Sequence, residues 1–332
     1  MEVCGTHTVA VSRFGIRRAV PEGLTLLSGP GCPVCVTPNE EIDWAIEVAK
    51  DPQVILATFG DMMKVPGSAS SLTREKAAGA DIRVCYSTLD ALDFAETNPD
   101  KKVVFFGVGF ETTAPSVAHS IKLAQKRGLK NYFVYSAHKT VPEALRALAT
   151  SEELNLNGFI LPGHVSSIIG VQAYKFVPPD YGLACVIMGF EPVDILQGLL
   201  MLIEQVNSGE PKLENQYTRV VREEGNPIAL KLLDEIFEPS PSNWRGIGVI
   251  PNTGMKIREK YADFDAALVF SDLEVPPPKE VKGCRCGEVL RGVAFPYDCS
   301  LFGKACTPES PIGPCMVSSE GSCAAYYRYE RV

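Results

Sequence analysis

The chain has 332 residues, a formal net charge of −8, 22% charged and 45% hydrophobic residues, and eleven cysteines. Its length exceeds one ordinary hydrophobic core and predicts two or three domains. The acidic balance argues against nucleic acid as a partner, no stretch approaches the roughly 18–20 apolar residues of a membrane span, and the first residues form no secretory signal. A cytoplasmic, reducing location is expected, where cysteines favour metal or redox chemistry over a disulfide framework.

In chain order, Cys4-Gly-Thr-His-Thr8 comes first and sets a thiol and an imidazole three residues apart on a glycine-containing turn. The Cys4 thiolate suits ferrous iron, copper or zinc, and the His7 imidazole could ligate or take a proton; a structural role is the alternative. A short apolar run over 25–28 reads as a strand running into Gly29-Pro-Gly-Cys-Pro-Val-Cys35. Cys32 and Cys35 have the C-x-x-C spacing of a redox-active dithiol ahead of a helix expected over 40–50, with half of a zinc site as the alternative.

Further strands are expected over 54–59, 82–86, 103–108, 132–136, 158–161, 184–188, 246–250 and 266–270. Helices are expected over 73–80, 116–127, 142–150, 193–207 and 227–237. In the 193–207 helix, Leu196, Leu199, Leu200 and Ile203 share one face. Such alternation predicts the α/β class with parallel sheets. The expected organisation is two similar doubly wound parallel-sheet domains, over 1–90 and 91–206. A third region over 207–332 follows, ending in a loop-rich iron–sulfur module over 273–332. Breaks over 207–216, 238–243 and 276–278 separate the parts.

Gly109-Phe-Glu-Thr-Thr113 and Pro162-Gly-His-Val-Ser166 each follow the carboxyl end of an expected strand, where open α/β sheets place their ligands. Glu111 and His164 are therefore candidate pocket groups; a helix cap and a core histidine are the plain alternatives. His119 and His138 receive no role. No G-x-x-x-x-G-K-S/T loop is present, which argues against nucleotide triphosphate chemistry on this chain.

Six of the eleven cysteines fall in the tail, as Cys284-x14-Cys299-x6-Cys306-x16-Cys323 together with Cys286 and Cys315. Structural zinc usually uses two tight knuckles, whereas a [4Fe–4S] cluster takes thiolates from dispersed positions. The spacing favours a cluster, with zinc, disulfides or unligated thiols as alternatives. Cys85 and Cys185 lie in apolar strands and read as small buried hydrophobes.

These motifs, in this order over essentially the whole chain, closely resemble the HypD family of hydrogenase maturation factors. The resemblance implies a redox-active assembly scaffold for the Fe(CN)2CO unit of [NiFe]-hydrogenase, rather than a turnover enzyme. The implied partners are the small chaperone HypC, the cyanide donor HypE and, indirectly, the hydrogenase large subunit. Cys4 would hold the iron in transit together with a HypC cysteine, with His7 beside it. Cys32 and Cys35 would be a redox pair near that iron, and Glu111 and His164 would line the same cleft. Cys284, Cys299, Cys306 and Cys323 would bind a [4Fe–4S] cluster resembling that of ferredoxin:thioredoxin reductase. Cys286 is the alternative to Cys284, and Cys315 is expected to be a bystander. Family members usually carry a further N-terminal stretch before the first cysteine motif, whereas here Cys4 stands almost at the start. A free-standing iron–sulfur dithiol oxidoreductase is the competing function, and it leaves Cys4 without a role.

Overall fold

Val-Ile-Leu-Ala-Thr-Phe over 54–59 is apolar on both faces of a strand, and both faces are buried in the computed structural model, which describes residues 1–330. Residues 331–332, the last two of the expected third region, lie outside the described residues. Four strands, β1 (Val54–Phe59), β2 (Ile82–Cys85), β3 (Lys102–Gly107) and β4 (Tyr132–Ser136), form a parallel sheet in the order β2-β1-β3-β4. Then β5 (Gly158–Pro162), β6 (Ala184–Met188) and β7 (Leu213–Asn215) form a second parallel sheet. An antiparallel ribbon of β8 (Phe237–Trp244) and β9 (Gly248–Ile257) follows.

Strand pleating divides the core. Leu56, Val104 and Phe106 share a central core with Phe159, Leu161 and Ile187 of the second sheet. Their neighbours Ile55, Ala57, Val103 and Phe105 face the other way, onto Val117, Ala118 and Ile121 of the helix Ala114–Arg127. Ile160, Val186 and Met188 cover the far face of the second sheet with Val11 of the helix Gly5–Arg13 and Ile195 of the helix Pro192–Ser208. Each such side chain contributes about 1.5–3 kcal/mol on full burial. No helix among the described residues is long and apolar enough to cross a membrane.

The α/β class with parallel sheets is as expected, but the internal divisions differ. The boundary at 90/91 cuts through one sheet, because β1 pairs with β3 as well as with β2. The N-terminus belongs to the second sheet: Glu2 bridges Ser28 and Ile160, and the Met1 ammonium donates to the Gly158 carbonyl at 2.9 Å. The two sheets are unequal, with four and three strands.

Segment 266–270 is a helix, Ala266–Val269, because the Asp265 carboxylate caps it by accepting from the Ala267 N–H at 2.9 Å. The proline-rich segment 238–243 is strand, since a two-stranded ribbon leaves an edge where Pro239 and Pro241 need not donate. Only Ser28 of the 25–28 run makes a bridge. In the helix Pro192–Ser208 the buried face carries Ile195, Gly198 and Leu199, while Leu196 and Leu200 are exposed.

The tail is built from short helices over Cys286–Arg291, Pro314–Val317 and Ser322–Tyr329. The helix Ser322–Tyr329 packs on Gly5–Arg13, and Pro314–Val317 packs on Pro33–Val36. The C-terminal module thus touches both N-terminal cysteine motifs.

Candidate functional site

Cys4 occupies the N-cap position of the helix Gly5–Arg13, in extended conformation, and its side chain is buried. Its neighbour across the fold is the Gly29-Pro-Gly loop: Gly5 N–H donates to the Gly31 carbonyl at 2.9 Å. A Cβ at Gly31 would stand 2.1 Å from the Cys4 nitrogen, so only glycine permits this approach. Burial, reinforced by the Glu320 carboxylate, pushes the Cys4 thiol up to about 11. A thiol held neutral in this way becomes a thiolate when a cation takes the place of its proton.

His7 lies one turn further along the same helix and is fully buried. Its Nε2 lies 2.9 Å from the Gly189 carbonyl oxygen, which can only accept, so Nε2 carries the proton and donates. Nδ1 therefore presents a bare lone pair, and no described group partners it. Burial holds the imidazole neutral, with its pKa lowered to about 4. Phe190 is sandwiched between His7 and His164, at centroid distances of 4.5 and 4.0 Å. His164 is exposed and reaches the same cluster from the second sheet, just past the end of β5. His7 and His164 thus flank one aromatic ring although 157 residues separate them in the chain.

Glu320 was not singled out from the sequence. It lies in the tail between Cys315 and Cys323, yet its Oε1 accepts from the Thr6 hydroxyl at 2.7 Å. A Cβ at Gly5 would sit 2.6 Å from the Glu320 Cβ, so the residue after Cys4 is glycine for this contact.

Cys32 and Cys35 are joined in a disulfide with a Cα–Cα distance of 5.2 Å. Pro33 starts the short helix Pro33–Val36, and Cys35 N–H donates to Cys32 Sγ at 3.2 Å. Cys35 Sγ lies 3.9 Å from the carbonyl oxygen of Pro314, the residue before Cys315.

Glu111 is buried beside β3; its Oε1 accepts from the Val141 N–H at 2.9 Å, and Oε2 has no described partner. Burial raises its carboxyl to about 7. Burial, followed by the Glu111 carboxylate, raises the Tyr174 phenol well above its ordinary value. Tyr174, whose hydroxyl is 3.3 Å from Ser166 Oγ, was also missed in the sequence.

All six tail cysteines, Cys284, Cys286, Cys299, Cys306, Cys315 and Cys323, line a single cavity of about 20 Å3 together with Val289, Leu301, Phe302 and Met316. Burial, followed by the charges of Cys286, Cys284, Cys306 and Cys299, raises the Cys323 thiol far above its ordinary value. No three His, Cys, Asp or Glu side chains among the described residues gather around a single metal position. The thiols border one cavity without sharing a single point, and a cubane likewise spreads its thiolates over separate irons. An all-sulfur donor set in an apolar cavity fits an iron–sulfur cluster, although a space this narrow requires the thiols to part around it. Cys286 Sγ and Cys315 Sγ stand 2.7 Å apart. Cys315, expected to be a bystander, is therefore half of a close pair.

The comparisons with known proteins agree with one another. The HypD family model, described as "Hydrogenase formation hypA family", matches residues 1–330. The chain is 49% identical over 333 residues to the hydrogenase maturation factor HypD of Rhodobacter capsulatus, covering 99% of this chain and 88% of that protein. It is 49% identical over 338 residues to the HypD of Azotobacter vinelandii, covering 100% of this chain and 89% of the relative. It is 45% identical over 335 residues to the HypD of Escherichia coli (strain K12), with the same coverage. The chain belongs to the HypD family of hydrogenase maturation factors.

Proposed function

We propose that this protein is a redox-active scaffold on which the Fe(CN)2CO unit of [NiFe]-hydrogenase is assembled. The observation that carries this reading is that the chain segments bearing three sulfur groups, distant in sequence, pack against one another. Gly31 presses its backbone onto Cys4, and Pro314, next to Cys315, lies against Cys35. In this reading iron is cargo. Cys4 holds it as thiolate, His7 offers its free Nδ1 from the same helix face, and HypC contributes a second thiolate. HypE supplies the cyanide, and the hydrogenase large subunit receives the product.

Cys284, Cys299, Cys306 and Cys323 would hold a [4Fe–4S] cluster, which supplies single electrons when bound. Cys286 is assigned to the pair with Cys315, which leaves Cys284 as the fourth ligand. Cys286/Cys315 and Cys32/Cys35 then act as successive dithiols. Each accepts two electrons and two protons when its disulfide is reduced, so single electrons are collected into pairs beside Cys4. Glu111, with its carboxyl near neutrality, and His164 serve as proton acceptors lining the cleft.

Replacement of Cys4 tests the reading directly. A Cys4→Ala strain is expected to lose [NiFe]-hydrogenase maturation, and its protein, isolated with HypC, to lack the infrared bands of iron-bound cyanide and CO. Normal maturation in that strain would favour the free-standing dithiol oxidoreductase instead.

A further inference from the structure

His7 and His164 meet one turn of the chain, and a polar clamp holds that turn from behind. β6 ends at Met188, and Gly189-Phe190-Glu191 leads into the helix Pro192–Ser208. The Gly189 carbonyl accepts from His7 Nε2 at 2.9 Å, and the Phe190 ring lies between the two imidazoles. The chain on either side of that carbonyl is fixed. Gly189 N–H donates to Gln216 Oε1 at 3.0 Å, and Glu191 N–H donates to Asp194 Oδ2 at 3.4 Å. The turn is thus gripped before and after the group that faces His7.

Gln216 stands just past β7, and its own N–H donates to the Ile187 carbonyl at 2.9 Å, so the second sheet sets its place. With Oε1 accepting from Gly189, its amide nitrogen is left to donate. It donates to Asp194 Oδ1 at 3.0 Å and to the exposed Gln197 at 3.2 Å. Asp194 also accepts from both ends of the Arg219 guanidinium, Nη1 to Oδ1 at 2.7 Å and Nη2 to Oδ2. The same guanidinium lies over the Tyr217 ring at 4.6 Å, and Tyr217 meets Phe190 edge-on at 6.0 Å. A Cβ on Gly189 would stand 2.2 Å from Asp194 Oδ2, so glycine lets the carboxylate come under the turn. A capping box at this helix needs only Glu191 and Asp194. Gln216 and Arg219 go beyond a cap: they tie it to the residue whose carbonyl orients His7.

We propose that Gln216 and Asp194, backed by Arg219, are positioning residues of the iron-assembly site, which hold the Gly189 carbonyl and the Phe190 ring so that His7 is fixed with Nδ1 bare. The inference rests on the reading of His7 as a group that meets the iron, and it adds the residues that aim it. A backbone carbonyl on one ring nitrogen is a usual way to orient an imidazole whose other nitrogen takes a metal, and loss of such a support weakens the site. None of the three touches the iron in this scheme. Each acts through the Gly189–Glu191 turn.

The test reads the His7 ring without iron. The whole protein, labelled with nitrogen-15 histidine, is followed by NMR, and His7→Gln identifies the His7 signals among the four histidines. In wild type the two His7 nitrogens are expected at widely separated shifts, one bare and one protonated. In Gln216→Ala they are expected to move towards each other as the ring exchanges between tautomers. Arg219→Ala, at an exposed position, is expected to give a smaller movement of the same sign and serves if Gln216→Ala folds poorly. Gln197→Ala removes only the exposed contact to Gln216 and is expected to leave the nitrogens where they are. [NiFe]-hydrogenase maturation is expected to fall about 10–100-fold in Gln216→Ala. Unmoved His7 nitrogens in both Gln216→Ala and Arg219→Ala, or an equal movement in Gln197→Ala, overturn the proposal. Moved nitrogens with full maturation overturn the reading of His7 at the iron, and the proposal with it, so the two failures are told apart.

Discussion

Gly31 and Cys4 touch through their backbones: a Cβ on Gly31 would meet the Cys4 nitrogen at 2.1 Å and its Cα at 2.4 Å. This contact, with the 2.9 Å hydrogen bond from Gly5 to Gly31, sets the Cys4 turn against the loop that carries Cys32. Gly31→Ala is expected to cost about 1–3 kcal/mol through overpacking. Thermal unfolding reads that cost, and hydrogenase maturation should fall further than stability alone accounts for, because the two sulfur sites are pushed apart.

Thr6 and Glu320 connect the same turn to the tail at 2.7 Å. Glu320→Ala removes a charge that pushes the Cys4 thiol up, so Cys4 should ionise more easily, while burial, the larger cause, still holds it above the ordinary thiol value. The pH profile of Cys4 alkylation checks this; a profile moved to higher pH would contradict it. The lost hydrogen bond to a charged group is worth about 1.5–3 kcal/mol at most, less in this partly exposed setting.

Glu111 makes stability depend on pH in a definite direction. Its folded carboxyl is raised by burial to about 7, against 4.5 for the free group. Its contribution is fully present below pH 4.5 and is lost as pH rises through 7. Glu111→Gln abolishes that loss. Relative to wild type, the variant should gain on the order of 3 kcal/mol between pH 4 and pH 8. Urea unfolding of both proteins at the two pH values measures it.

His138 has the opposite sign. Burial, helped by Lys139, lowers its pKa from 6.5 to about 3, so its contribution is present above pH 6.5 and lost as pH falls through 3. Its Nδ1 meets Ser136 Oγ at 3.1 Å, a contact that keeps the neutral ring in place. His138→Gln should flatten the acid limb of the stability curve below pH 6, visible in unfolding followed by circular dichroism.

The ligands of the proposed cluster are separated by iron and sulfide analysis after anaerobic purification. Cys284→Ser, Cys299→Ser, Cys306→Ser and Cys323→Ser are each expected to lose most iron and sulfide. Cys286→Ser and Cys315→Ser are expected to keep both and to lose the second dithiol instead. Iron loss in Cys286→Ser with retention in Cys284→Ser would exchange the roles of those two residues.

The six parallel strands β1–β6 could be located to within one residue because most are short apolar runs buried on two faces, a property local to the sequence; the edge strand β2, with Arg83 and Val84 part-buried, is the exception. The ribbon strand β8 and the helix Ala266–Val269 could not. In the first, prolines resemble a break although an edge tolerates them. In the second, a single carboxylate at Asp265 outweighs four apolar residues. One sheet spans the expected boundary at 90/91 for a related reason: the pairing of β3 with β1 is a long-range choice that no local break announces.

By itself the sequence determined the α/β class and the family, and it singled out Cys4, Cys32, Cys35, Glu111 and His164 as candidates because they sit in short motifs whose spacing is itself the signal. Only the tertiary structure decided which of these meet. Glu320 reaches Thr6 across 314 positions, Pro314 reaches Cys35 across 279, and Arg245 reaches Asn39 across 206. Such contacts depend on how two sheets and a loop-rich tail pack around a shared core. They leave no periodicity in the chain, since each partner obeys its own local rules and their proximity is settled by burial alone.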